Sequence, residues 1–300
     1  MSKRKKRKLL KALLPLFVLI IIIAVISFND PPTAAEVPAH PSADISEPEL
    51  IPEYSGEAYC VLNGNIPYFG TDGLSTEAFE SYAELDSLGR CGETLACIGR
   101  EIMPTEERGS ISHVYPSGWV NVPYSFVDGE YLYNRCHLIG FQLTGENDNE
   151  QNLITGTRYL NVEGMLPFEN MVADYVKETG NHVYYRVIPV FEGSELVSRG
   201  VTMEAWSIED GGEGICFNIY CYNVQPGVII DYLSGESRMD EEFLSSGEQH
   251  TYVLNTGSKK FHEPSCSGAN SMKAENRQDY SGTRELLIAQ GFEPCGQCKP

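Results

Sequence analysis

Positive charge is scarce in this chain. Its 22 lysines and arginines face 42 aspartates and glutamates, for a formal net charge of −20. Seven of the cations crowd into the first 30 residues beside a single aspartate, so the rest carries 15 basic and 41 acidic residues, a net −26. Tight nucleic-acid binding draws its affinity from neutralised phosphates, so a repressor-like role is disfavoured. An enzyme that must release its product needs less affinity. Part of the acid is also local: Glu36, Asp44, Glu47, Glu49 and Glu53 in one polar stretch, and Glu236, Asp240, Glu241, Glu242 and Glu248 in another. An even cysteine count is lacking too. The nine are Cys60, Cys91, Cys97, Cys136, Cys216, Cys221, Cys266, Cys295 and Cys298, so at least one is free, metal-bound or paired between chains.

What is present begins at the N-terminus. Lys3 to Lys8 form an unbroken basic block, and an apolar run follows from Leu9 to Phe28, interrupted by Lys11 and Pro15. The run is long enough to cross a bilayer as a helix. Cations on its N-terminal side predict a cytoplasmic N-terminus and an exported remainder. A cleaved signal peptide is the alternative, with Ala34-Ala35 as the candidate site; its apolar region is usually shorter, roughly 7–15 residues. We read 1–28 as a membrane anchor and 29–56, rich in Pro, Ala, Glu and Ser, as a disordered stalk. Export would permit disulfides. Cys91 and Cys97 are close enough in sequence to bridge. Cys216 and Cys221 would face opposite sides of a strand and should not pair with each other.

A folded unit is expected over 57–232. Tyr59 to Leu62, Asn63-Gly64 and Ile66 to Phe69 spell a hairpin. Residues 76–83 suggest a short helix, and 84–133 are rich in glycine and turns. Apolar residues at Tyr159, Val162, Met165, Phe168, Val172 and Tyr175 predict helix over 158–178, with Pro167 kinking or breaking it and Gly180-Asn181 ending it. The segments 182–191, 196–208 and 214–224 predict an antiparallel meander. A polar acidic linker over 233–250 then leads to a small module over 251–300.

The chemistry concentrates in Asn134-Arg135-Cys136-His137, with Asn152, Asn161 and Glu169 downstream. A histidine can deprotonate water near neutral pH, an arginine can hold phosphate, and an amide oxygen can ligate a hard cation. Asn161 and Glu169 are eight residues apart, near two helical turns, so they can share a face. Arg158 and Arg186 could line a phosphate path or form surface salt bridges. His113 and His182 sit in no motif and are read as structural. A thiol mechanism on Cys136 and His137 is disfavoured, because neighbours on a strand point to opposite faces.

This pattern resembles the DNA/RNA non-specific endonucleases of the ββα-metal class, the DRGH nucleases, and especially their membrane-anchored and secreted Gram-positive members. The matching pieces are Asn134-Arg135-Cys136-His137, Gln151-Asn152-Leu153-Ile154, Thr157-Arg158-Tyr159-Leu160-Asn161 and Phe168-Glu169-Asn170. The resemblance covers about 57–225 and implies an α+β fold: a ββα-metal core with an antiparallel sheet. It implies His137 as general base, Asn161 as Mg²⁺ ligand, Arg135 at the phosphate, Asn152 orienting the site, and Glu169 acting through water on the metal. It also implies DNA and RNA as substrates and 5′-phosphate products. Asn134 and Cys136 depart from the usual Asp and Gly. An inactive, envelope-bound nucleic-acid-binding protein is therefore the alternative.

In the last 50 residues, His262-x3-Cys266 and Cys295-x2-Cys298 are separated by a 28-residue gap. Four such ligands suit tetrahedral Zn²⁺, and a module this small gains from a staple. It resembles the Ada-like zinc-binding modules, through Phe261-His262, Pro264-x-Cys266 and Gly291-Phe292-x-Pro294-Cys295. A Cys295–Cys298 disulfide, or one from Cys266, is the alternative.

Overall fold

The structure is a computed structural model that describes residues 51–300. The expected anchor and the greater part of the expected stalk lie outside the described residues. Within them, no helix is long and apolar enough to cross a membrane.

Six antiparallel strands make the main sheet: β1 (Tyr59–Val61), β2 (Phe79–Tyr82), β3 (Thr94–Ile98), β6 (Val183–Val190), β7 (Gly200–Ser207) and β8 (Cys216–Tyr222), in the order β1-β8-β7-β6-β3-β2. The last three are the predicted meander. Strand alternation puts Val183, Tyr185, Val187, Val201, Met203, Ala205, Phe217, Ile219 and Cys221 on one face, all in the main core. The opposite face carries Tyr184, Arg186, Glu204, Asn218 and Tyr220. Arg186 thus sits beneath the sheet, where its Nε donates to the buried Glu204 carboxylate at 2.6 Å. Its Nη1 also lies 3.5 Å from the carboxylate of Glu93 at the surface, and it does not line the cleft beside His137.

Residues 62–69 strap this second face, and here the structure departs from the hairpin expectation. Asn63 and Gly64 do turn the chain, with φ of 46° and 60°. β1, however, pairs with β8 in the register Tyr59↔Cys221. The following residues instead cross the sheet: Asn218 Nδ2 donates to the Ile66 carbonyl at 2.8 Å, and Phe69 meets Tyr184 edge-on at 4.9 Å. A long-range strand partner outweighs the local turn signal. The short helix expected over 76–83 is β2, an edge strand whose Phe79 packs toward Tyr184 at 6.1 Å. Ile51 and Tyr54 pack on Tyr220 and Tyr222, so the last residues of the expected stalk belong to the folded unit.

On the core face lie the antiparallel pair β4 (Tyr133–His137) and β5 (Leu153–Thr157), the short helix α1 (Phe141–Thr144), a π-helical turn (Leu160–Met165) and the helix α2 (Leu166–Thr179). Pro167 marks the point where the helical run over 158–179 divides, the π-helical turn giving way to α2. It occupies the first turn, where its missing N–H has no intrahelical partner to lose. Gly180, at φ 77°, closes the helix, and its N–H bonds to the Val176 carbonyl. Val172, Ala173 and Val176 are fully buried against the sheet. Each large aliphatic side chain so placed stabilises by roughly 1.5–3 kcal/mol, which anchors α2 firmly.

Cys136 faces Gly156 across the β4–β5 pair. A Cβ on Gly156 would lie 2.6 Å from the Cys136 Cβ. We expect Gly156→Ala to destabilise by about 1–3 kcal/mol. Gly156→Ala combined with Cys136→Gly should cost clearly less than the two single changes added. Chemical denaturation of the four proteins measures this; strict additivity would refute the contact.

The stretch expected as a linker is structured. β9 (Val228–Ile230) pairs with β10 (Ser237–Met239), and the short helix α3 (Glu241–Ser245) is capped by the Asp240 side chain and buries Leu244. Beyond it β11 (His250–Asn255), β12 (Lys260–His262), β13 (Arg277–Gly282) and β14 (Glu293–Pro294) form a four-stranded sheet in the order β13-β11-β12-β14, with helices α4 (Ser267–Asn270) and α5 (Arg284–Ala289). Its cores are small: Tyr252, Leu254, Phe261, Leu287 and Phe292 in one, Val253, Cys266, Ala269 and Cys295 in the other. No disulfide joins any of the nine cysteines in the structure. Cys91 and Cys97 do not bridge; their thiols donate to the Leu153 and Ser75 carbonyls respectively.

Candidate active site

β4 ends in His137 at one side of a cleft of about 680 Å³. Asn152 sets the exit of that strand. Its Oδ1 accepts from the Ile139 N–H at 2.8 Å, its Nδ2 donates to the Ile139 carbonyl at 3.0 Å, and its own carbonyl accepts from Leu138. It is fully buried, so it braces backbone and does not line the cleft.

His137 is 6 % exposed. Its Nε2 lies 2.8 Å from the Asn147 carbonyl, which can only accept, so Nε2 carries the proton. Nδ1 is then bare and accepts from the Arg108 guanidinium at 3.2 Å. Burial, with a smaller push from Arg108, holds the imidazole down at about 4. The ring is neutral at physiological pH, as a base must be.

Asn161 rides the π-helical turn and Glu169 the first turn of α2, and both line the same cleft as His137. Burial raises the Glu169 carboxyl to about 7, offset in part by Arg108. Gly140 makes room for it, since a Cβ there would sit 2.8 Å from the carboxylate. Among the described residues no hydrogen bond or ion pair engages this carboxylate. A buried acid without a partner, beside an amide oxygen, is an all-oxygen donor set that fits a hard divalent cation. The Cys136 thiol donates to Asn161 Oδ1 at 3.2 Å. A carbonyl oxygen has two lone pairs, so one remains for a cation. Cys136 itself is fully buried, and burial pushes its thiol well up. It points toward Asn161 and Met165 and meets His137 only at its backbone carbonyl, at 3.8 Å, not at the imidazole, which argues against a Cys–His nucleophile pair. Asn134 also lines the cleft, with Nδ2 buried and unpartnered.

The arginines divide differently from expectation. Arg135 lines the cleft, but its Nε bonds to the Val114 carbonyl and its Nη2 to the Ser112 carbonyl, and it lies over the Trp119 ring at 4.3 Å. Arg158 lines the cleft while bound to Asp128 at 2.7 Å. Arg108, which no motif had singled out, is the cation that touches His137. No periodicity marks it, for it lies in a turn-rich segment 29 residues upstream.

The two buried groups have opposed pH effects. His137 titrates near 4 in the fold against 6.5 when free, so stability is lost as pH falls through that window. Glu169 titrates near 7 against 4.5, so stability is lost as pH rises through its own window. In magnesium-free buffer the two should nearly cancel between pH 4.5 and 6.5. Glu169→Gln should then lose stability toward acid, and His137→Ala toward neutrality. Each slope should approach about 1.4 kcal/mol per pH unit. Denaturant midpoints against pH measure this, and parallel curves for the two variants would contradict it.

In the C-terminal module the ligand atoms of His262, Cys266, Cys295 and Cys298 all lie within 4.8 Å of one another. His262 Nδ1 is buried without a hydrogen-bond partner. Backbone N–H groups of Cys298 and Gln297 hold the Cys295 thiol below its ordinary value. Burial raises the Cys298 thiol to about 11, the opposite direction, so the case for a bound cation rests on the four converging donors and the orphaned imidazole nitrogen.

Comparison with known proteins places this geometry. Residues 72–208 match the family model described as DNA/RNA non-specific endonuclease. A curated protein named "Deoxyribonuclease", from Streptococcus dysgalactiae subsp. equisimilis, is 33% identical over 110 residues, which cover 35% of this chain and 32% of the relative. The chain thus matches about a third of that relative's length. The structure of NucA from Streptococcus agalactiae with magnesium bound superimposes with a TM-score of 0.55 at 25% identity, covering 60% of this chain and 86% of that one. The same protein without metal gives 0.56 at 24% identity, over 63% and 91%.

Proposed function

We infer that this chain, whose residues 72–208 match the family model described as DNA/RNA non-specific endonuclease, hydrolyses phosphodiester bonds in DNA and RNA with the help of a divalent cation. The observation that carries this reading is the cleft itself, where a neutral buried histidine, an amide oxygen and an unpartnered buried carboxylate converge.

His137 takes a proton from the attacking water at Nδ1, while its Nε2–H stays on the Asn147 carbonyl. Arg108 occupies Nδ1 in the free protein. An incoming phosphate competes for that guanidinium and frees the base as it binds. Asn161 and Glu169 would hold the cation. Magnesium there would neutralise charge building on the phosphate and on the departing 3′ oxygen. Arg135, pinned by two carbonyls, presents its remaining edge to the substrate backbone. Contacts of this kind read phosphate and sugar, not base sequence, so little sequence preference follows.

His262, Cys266, Cys295 and Cys298 hold a structural zinc ion, a closed site of four protein ligands. Residues 1–28 tether the protein, with the nuclease outside the membrane. The test is cleavage of plasmid DNA and of RNA by the full chain, with Mg²⁺ and with a chelator. Cutting that needs the cation supports the reading. Binding without cutting by folded protein would favour the envelope-bound binding protein.

A further inference from the structure

Away from His137 the cleft runs into an aromatic wall that the hydrolytic chemistry does not use. Trp119, Tyr131 and Tyr133 line it. Tyr133 is buried in a small core with Tyr124, Val127, Leu132 and Val228. Tyr131, two residues before it on the same face, is 53 % exposed. The loop that presents Tyr131 is tightly made. Pro123 and Tyr131 form a bridge, the Tyr124 N–H donates to the Glu130 carbonyl, and the Glu130 N–H donates to Val127. Glu130 holds φ at 65°, a left-handed conformation unusual for a residue with a side chain. Such strain persists where surrounding structure imposes it, often at binding sites. Beside this loop the Arg135 guanidinium lies over Trp119 and 5.3 Å from the Tyr115 ring, which is 72 % exposed. Its two carbonyl bonds keep that cationic plane in place.

We propose that this wall is a stacking subsite for unpaired nucleobases of the strand that enters the cleft, and that it directs cutting to single-stranded stretches of nucleic acid; this rests on the nuclease reading above. In a duplex both faces of each base are already stacked, so only an unpaired base can use an aromatic face. Arg135 precedes His137 by two strand residues, roughly 7 Å, and Tyr131 precedes it by six, roughly 20 Å, so the wall extends from the phosphate site over a few nucleotides of strand. Charge argues the same way. With a net −26 beyond residue 30, the protein has little electrostatic pull on phosphates. Stacking on aromatic faces supplies affinity that does not depend on net charge.

The test is equilibrium binding of the full chain to a labelled oligothymidylate and to an abasic oligonucleotide of equal length, in magnesium-free buffer so that nothing is cut. The wild type should prefer the thymidine strand by about ten-fold. Tyr131→Ala should bring the preference to within about two-fold, and Tyr131→Phe should keep it. Equal binding of both strands by the wild type, or a preference intact in Tyr131→Ala, overturns the subsite. Mg²⁺-dependent cutting of the same strands is scored separately. Cutting without a stacking preference leaves the nuclease reading standing and removes the subsite. A stacking preference without cutting shows the wall to bind bases but overturns the nuclease reading, and with it the claim that the wall directs cutting.

Discussion

His137→Ala abolishes nearly all Mg²⁺-dependent cleavage of plasmid DNA, by about 10²- to 10⁴-fold, the range for loss of a general base. The expectation rests on three features of the ring. Its Nε2 proton is committed to the Asn147 carbonyl, its Nδ1 is bare, and burial keeps it neutral with a titration point near 4. Among the described residues that line the cleft, no other group is a neutral base at pH 7 with a defined lone pair toward Arg108. Arg108→Ala should also cost activity, with the loss appearing in KM as well as kcat, because it removes phosphate attraction. Circular dichroism of both variants checks the fold, which the buried sheet and α2 hold independently of these side chains. Retention of more than a tenth of wild-type activity by a folded His137→Ala protein would remove His137 from the chemistry.

Stripping the C-terminal cluster of metal unfolds its module and spares the nuclease sheet. One zinc ion per chain is expected on elemental analysis, with none in Cys295→Ser combined with Cys298→Ser. The two cores of the module together hold only nine fully buried residues, too few to stand alone comfortably. Structural zinc in small fingers contributes on the order of 10 kcal/mol or more, which exceeds any credible net stability of this module. A strong chelator should therefore make residues 251–300 protease-sensitive while the six-stranded sheet keeps its protection. A metal-free protein with a protease-resistant module would establish that the cluster is not a zinc site.

The distance between strand order and chain order explains where sequence reading succeeds. The meander over β6, β7 and β8 is legible because neighbours in sequence are neighbours in the sheet. Gly180 reads as a helix end because glycine tolerates the left-handed backbone that a C-cap needs. The hairpin at Asn63-Gly64 misleads for the opposite reason: β1 finds its partner about 160 residues away, in β8. The acidic stretch over 233–250 reads as linker from composition, yet Leu244 alone is enough to dock a short capped helix. Pro167 reads as a breaker, and the helical run does divide there, from the π-helical turn into α2.

For the candidate site, residue types, spacing and the family resemblance single out His137, Asn161 and Glu169, and likewise His262, Cys266, Cys295 and Cys298, and the fold brings each set together. Tertiary structure alone decides how those patterns are used. It turns Asn152 inward to brace backbone, ties Arg158 to Asp128, buries Arg186 beneath the sheet, and brings Arg108 to the imidazole from a segment with no periodic signal. It also fills the space beside Gly156 with Cys136 and leaves Tyr131 exposed at the cleft edge. The physical reason is common to all of these. A motif records which groups can react, whereas burial, tautomer and pairing depend on neighbours that are distant in the chain and meet only when the sheet and α2 close on β4.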